Sequence, residues 1–193
     1  MVDQCSRPAV VSPLMATKDL WRSWAAAQRW IPGQDLIRSG VEAFLGSLTD
    51  PVVLTYAAMP GEPDVVAVRG AGRLLLTRTP KTGPLTVHAA TSTMETHRWG
   101  YRQPVEGSVE IDPGEIDVVL VPGALFDREG DRLGHGRGYY DRLLASCRSD
   151  VLKVGITTVN ALVERLPVEP HDIPMTHLAT EVGVRRIRSG GIR

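Results

Sequence analysis

The chain is 193 residues long and carries 22 basic and 22 acidic side chains, so its formal net charge is zero. That length fits one domain able to bury a sizeable core without disulfide staples. The neutral balance provides no global field for nucleic acid or an anionic membrane, so any basic site has to be local. Cys5 and Cys147 are far apart and outside any CxxC spacing, and read as free thiols in a reducing cytoplasm. No run approaches about eighteen apolar residues, which excludes a transmembrane helix. The acid and prolines of the first residues do not make an export signal. Residues 1–16 are expected to be a flexible extension, with Met15 as an alternative start, and 17–193 to form the domain.

From Thr17, an N-cap residue, to about Arg29, the apolar positions Leu20, Trp21, Trp24 and Ala25 recur at helical spacing. A second helix is predicted over 34–48. The β-rich run 52–58 reads as a buried strand ended by a Pro-Gly turn. "RLLLTRT", "PLTVHAA", "IDVVLVPG" and "VLKVGITT" are further strands, and helices alternate with them. Such alternation predicts a single three-layer α/β domain with a largely parallel sheet. Residues 89–113 are polar and follow neither period, so loop and turn with functional potential are expected there.

The segment "VPGALFDREGDRLGHGRGYYDRLL", residues 121–144, joins a buried strand to a helix. In an open parallel sheet ligands bind beyond the carboxyl ends of the strands, which is where this loop begins. Gly134, Gly136 and Gly138 permit close backbone approach, and a helix from about Gly138 presents free amides and a positive dipole end. Tyr140, Leu143, Leu144 and Cys147 share one helical face, which would bury the helix and leave Cys147 inert. The spacing is neither that of a Walker A loop nor of the dinucleotide fingerprint, whose last glycine would fall at Tyr139. The glycines alone fit a surface turn as well as a phosphate cradle. Lys18 and Arg22, at i and i+4, form with Arg29 a like-charge row that an anion would relieve, although a solvated face reads the same. His97 and Trp99 show no metal or nucleophile spacing and read as loop or pocket-wall residues.

Read together, these motifs resemble the 5-formyltetrahydrofolate cyclo-ligases (5,10-methenyltetrahydrofolate synthetases). The 121–144 segment is similar to their G-x-RLG-x-G-x-G-YYD signature. "KDLWR" (18–22), "YAAMPGEPD" (56–64) and "LPVEPHD" (166–172) extend the likeness over about residues 17–184. "GYRQP" (100–104) departs from it, with Gln103 where the family carries Glu.

The resemblance implies a fold similar to the NagB/RpiA/CoA-transferase-like fold and an ATP- and Mg2+-dependent closure of 5-formyltetrahydrofolate to its 5,10-methenyl form, releasing ADP and phosphate. It implies ATP contacts at Lys18, Arg22, Arg132, Gly134, His135, Gly136, Arg137, Gly138, Tyr139 and Tyr140. Folate contacts would come from Ala57, Glu62, His135, Arg137 and Tyr139, with Arg137 and Tyr139 at the reacting groups. Asp141 and Asp172 would be magnesium ligands. The implied partners are small molecules only, bound by a monomer in the cytoplasm. A silent nucleotide- or folate-binding module is a second reading, motivated by Gln103 and a short N-terminal region. An enzyme of similar fold acting on sugar phosphates is a third.

Overall fold

The protein is described by a computed structural model over residues 17–28 and 33–187. The expected extension (1–16), Arg29 of the like-charge row and Cys5 lie outside the described residues. In chain order, α1 spans Lys18–Ala27, α2 Gln34–Leu45, β1 Val52–Thr55, β2 Arg73–Arg78, β3 Thr86–Ala89, β4 Met94–Thr96 and β5 Arg102–Pro104. There follow β6 Val118–Val121, β7 Leu125–Asp127, β8 Arg132–Leu133, α3 Tyr139–Ser146, β9 Leu152–Ile156, β10 Leu162–Val163, β11 His177–Thr180 and β12 Gly183–Arg186.

Seven strands form one sheet in the order β12-β11-β9-β6-β1-β2-β3. The five inner strands are parallel, and only the edge pairs β11–β12 and β2–β3 are antiparallel. A strand alternates its side chains between faces, so a strand covered on both sides must be apolar throughout. β6 meets this condition. Val118 and Leu120 pack with Ile37, Val41 and Leu45 of α2, while Val119 and Val121 pack with Leu143 and Leu144 of α3. The expected three-layer α/β domain with a largely parallel sheet is the observed architecture.

The first helix does not join either layer. Thr17 caps it through Oγ1, which accepts from Leu20 N at 3.4 Å, and Trp21 and Ala25 turn inward at i, i+4 spacing. They pack on Leu125, Leu133, Val163 and Leu166, which belong to or adjoin a separate three-stranded sheet, β10-β7-β8. Leu20, counted on the apolar face from spacing alone, is 53% exposed, because this small sheet covers only a narrow stripe. α2 ends at Leu45 and β1 at Thr55, short of the expected 48 and 58, since Gly46 caps the helix and the chain leaves the sheet toward the turn at Gly61.

Residues 89–113 are not all loop. β4 and β5 pair antiparallel, with Glu95 opposite Gln103. Their register is held by backbone bonds and by His97 stacked on Tyr101 at 4.6 Å, neither of which produces a period-two apolar pattern.

Candidate functional site

A cavity of about 460 Å³ opens beyond the carboxyl ends of β1, β2 and β6, the position at which parallel sheets present ligands. Its size lies within the range of small-molecule sites. Every residue that the sequence singled out for ATP, folate or metal lines it: Lys18, Arg22, Ala57, Glu62, Arg132, Gly134, His135, Gly136, Arg137, Gly138, Tyr139, Tyr140, Asp141 and Asp172. Gln103 does not. It is 2% exposed and bonds Thr79 N and Glu95 within the hairpin and β2, so its departure from the family pattern falls outside the cavity wall.

The glycine-rich loop supplies the basic wall. Gly136 and Gly138 adopt positive φ values of 89° and 59°, which glycine reaches without a Cβ penalty. Gly138 is also the N-cap of α3, so no side chain caps the first turn. A Cβ at Gly136 would come 3.3 Å from the Arg22 guanidinium, which therefore lies against the loop backbone. Arg22 Nε donates to Gly134 O at 3.0 Å and Nη1 to Asp19 Oδ1 at 2.6 Å, so α1 is tied to the loop directly. Arg137 stands over the Trp99 ring, 5.3 Å from its centroid.

Arg132 and Lys18 are paired with the two acids that the family resemblance would assign to metal, Asp141 and Asp172. Arg132 Nη2 donates to Asp141 Oδ1 at 2.9 Å, and its Nε is buried without a hydrogen-bond partner. Lys18 Nζ donates to Asp172 Oδ2 at 2.6 Å and to Glu169 Oε2 at 2.8 Å. Burial disfavours the Asp172 carboxylate, but the Lys18 and Glu169 amide bonds outweigh it and hold the carboxyl below its usual range. Burial likewise opposes the Lys18 charge, and the two carboxylates overcome it and raise the ammonium. Glu169, His171 and Asp172 offer three ligand atoms within 4.8 Å of one another. Carboxylate oxygens beside a glycine cradle, with an orphaned guanidinium N–H, fit a polyphosphate and a hard, oxygen-seeking divalent ion.

Glu62 faces this wall from the turn after β1. Its Oε2 accepts from Met59 N at 2.9 Å, and Oε1 lies 3.3 Å from His135 Nε2. Tyr56 stabilises the same turn by donating to Pro63 O at 2.7 Å, and burial pushes its phenol well above the usual range. Tyr140 is also raised by burial, with its hydroxyl bonded to Thr77 at the end of β2. The Tyr139 ring lies 5.3 Å from the Arg142 guanidinium, and Tyr139 remains on the cavity wall. Trp99 lines the cavity with Tyr101, as a pocket wall, whereas His97 holds the hairpin. Cys147 is half-buried; burial raises its thiol, which donates to Leu143 O at 3.3 Å.

Asp127 escaped the reading of the motif, although "FD" was part of it. It is fully buried and accepts from Glu129 N at 3.0 Å, Asp131 N at 2.9 Å and Leu166 N at 2.9 Å. Those bonds fasten the start of the 166–172 loop, which carries Glu169 and Asp172, to the glycine-rich segment. Its signal was a carboxylate at the end of an apolar strand, where burial demands backbone partners.

The model of the 5-formyltetrahydrofolate cyclo-ligase family matches residues 27–181. A 5-formyltetrahydrofolate cyclo-ligase of Mycolicibacterium smegmatis is 43% identical over 67 residues, which are 35% of this chain and 34% of the relative. One from Mus musculus is 34% identical over 90 residues, 43% of this chain and 44% of the relative. These two matches therefore span a third to under half of the relatives' length. The solved 5,10-methenyltetrahydrofolate synthetase of Aquifex aeolicus is 31% identical with a TM-score of 0.72, covering 91% of this chain and 95% of that one. With the motifs of the family gathered around one cavity and its model matched across most of the sequence, the chain belongs to the 5-formyltetrahydrofolate cyclo-ligase family.

Proposed function

We propose that the protein converts 5-formyltetrahydrofolate to 5,10-methenyltetrahydrofolate, consuming ATP with magnesium and releasing ADP and phosphate. One observation carries this reading. Glu62, directed at folate, and His135, on the phosphate-directed loop, meet across the cavity at 3.3 Å, so one chamber adjoins both sets of groups.

An amide-like formyl group is a poor electrophile. Bound ATP would supply the phosphoryl group that makes the formyl oxygen a leaving group, so that the position-10 nitrogen bonds the formyl carbon as the C–O bond breaks and its proton is released. The chain's part is alignment and charge. Glu62 accepts hydrogen bonds from the amino and ring N–H groups of the pterin, beside Ala57. The amides of the 134–138 loop, Lys18, Arg22 and Arg132 receive phosphate oxygens, with Tyr140 packed behind them. Arg137 reaches the transferring phosphoryl, and Tyr139 closes the wall beside it. Asp141 and Asp172 would hold magnesium, whose charge offsets that of the phosphates. We take the working unit to be a monomer in the cytoplasm, as the family resemblance implies.

The methenyl bridge is conjugated and the formyl substrate lacks it. Purified protein mixed with 5-formyltetrahydrofolate, ATP and magnesium should therefore develop new near-ultraviolet absorbance while ADP accumulates in step. Omitting either ATP or magnesium should abolish both signals. Binding of both ligands with neither signal would establish the silent binding module instead. Gln103 gives that module little support, because it is not among the cavity-lining residues and its amide is engaged by Thr79 N and Glu95.

A further inference from the structure

Two ion pairs stand in the cavity wall, and each joins a cation directed at phosphate to a carboxylate directed at metal. Lys18 pairs with Asp172 at 2.6 Å, their side chains 14% and 12% exposed. Arg132 pairs with Asp141 at 2.9 Å, with 7% and 16% exposed. Charges this deeply placed cannot be left bare, because the penalty of a buried uncompensated charge exceeds that of breaking a surface pair.

Consider a polyphosphate arriving without metal. It would take Lys18 and Arg132 from their carboxylates and leave Asp172 and Asp141 facing the incoming negative charge. A divalent ion arriving without nucleotide meets the opposite obstacle. Glu169, His171 and Asp172 converge on one another, but the Lys18 ammonium already bonds two of the three. When both arrive together every charge keeps a partner, cations turning to phosphate and carboxylates to metal. Arg132 has capacity for this exchange, since its Nε is buried and without a partner.

We propose that the Lys18–Asp172 and Arg132–Asp141 pairs make this site selective for metal-loaded nucleotide, admitting it by exchange of both pairs and resisting nucleotide and metal taken separately. The inference rests on the assignment of nucleotide to this cavity. It has a consequence opposite in sign to that of ordinary ligand removal. Neutralising either carboxylate frees its cation, so metal-free ATP should bind more tightly to the variant than to the wild type.

Titration calorimetry on the full chain tests this with ATP plus EDTA and ATP plus magnesium, and paramagnetic resonance tests it with manganese alone. The wild type should bind ATP with magnesium at least about tenfold more tightly than ATP with EDTA, tenfold being about 1.4 kcal/mol. Asp172→Asn and Asp141→Asn should each bind ATP with EDTA about tenfold more tightly than wild type does, and bind ATP with magnesium more weakly. Lys18→Met should bind manganese without nucleotide more tightly than wild type, read from the loss of the free-ion paramagnetic resonance signal. Equal wild-type affinity for both forms of ATP would overturn the inference while leaving the nucleotide assignment intact. Asn variants that weaken both forms alike, or no gain for manganese in Lys18→Met, would overturn it in the same way. A wild type that binds no nucleotide in either form removes the assignment and the inference together. Melting curves identify any variant that fails to fold, and the other two variants then decide.

Discussion

Gln103 and Glu95 lie opposite one another in the β4–β5 ladder, and the Gln103 amide donates to Glu95 Oε1 at 2.9 Å. The same Glu95 oxygen accepts from Arg78, which also donates to Pro104 O at 2.7 Å. Gln103 Oε1 in turn accepts from Thr79 N at 3.1 Å. The hairpin that carries Trp99 and Tyr101 to the cavity is thus pinned to β2 through a carboxylate on strand β4, with the amide at 103 completing its hydrogen bonds.

Gln103→Glu should destabilise the protein. The new carboxylate, at a position 2% exposed, would face the Glu95 carboxylate and lose the N–H that now bridges them, so two like charges would meet where one hydrogen bond now stands. Thermal or urea unfolding measures it. Folate and nucleotide affinities should stay within about twofold, on the scale where tenfold is about 1.4 kcal/mol. A rise in turnover would instead mean that the residue at 103 acts on the reaction and not on the hairpin alone.

Arg137→Ala should weaken binding of ATP with magnesium by about 1.5–3 kcal/mol, the loss of one charge-assisted contact, with little change in melting temperature. Trp99 lies against this guanidinium, so nucleotide titration should change tryptophan emission in the wild type. Comparison with Trp99→Phe isolates that signal. Unchanged affinity in Arg137→Ala would remove the residue from the phosphate wall.

Glu62→Gln should raise the folate dissociation constant while leaving that of ATP nearly unchanged. A neutral amide accepts weaker hydrogen bonds from a pterin than a carboxylate does. The Met59 N contact at 2.9 Å can persist in the amide, so the turn should remain folded. Weakened nucleotide binding with normal folate binding would place Glu62 on the wrong ligand.

The Lys18–Asp172 tie should fade at both extremes of pH. The folded pKa of Asp172 is depressed, so its contribution is present above the unfolded value of about 3.9 and is lost as pH falls through the lowered one. That of Lys18 is raised, so its contribution is present below about 10.4 and is lost as pH rises through the raised value. The melting-temperature gap between wild type and Asp172→Asn should be steady near neutrality and should close in acid. A gap that persisted undiminished once Asp172 is protonated would mean that packing, not charge, joins α1 to the 166–172 loop.

Local pattern was enough for much of this molecule. A parallel strand buried on both faces must be apolar throughout, so Val118–Val121 declared itself and, with the alternating helices, the layered sheet. Glycine at 136 and 138 is a backbone requirement, so the glycine-rich loop that walls the cavity was also legible. Polar segments carry no such signature. The β4–β5 hairpin passed for loop because its cohesion comes from an aromatic stack and the Arg78–Glu95–Gln103 bonds, which follow no period.

By itself, then, the sequence determined the layered α/β class, the family motifs and the residues that line the cavity, because these depend on neighbours a few positions apart. Only the tertiary structure decided that α1 rests on a small separate sheet, that buried Asp127 fastens the 166–172 loop, and which cation each carboxylate neutralises. Lys18 and Asp172 are 154 positions apart, and no spacing rule reaches that far. Charge pairing acts through space at a few ångströms, so it becomes defined only when packing has brought distant segments together.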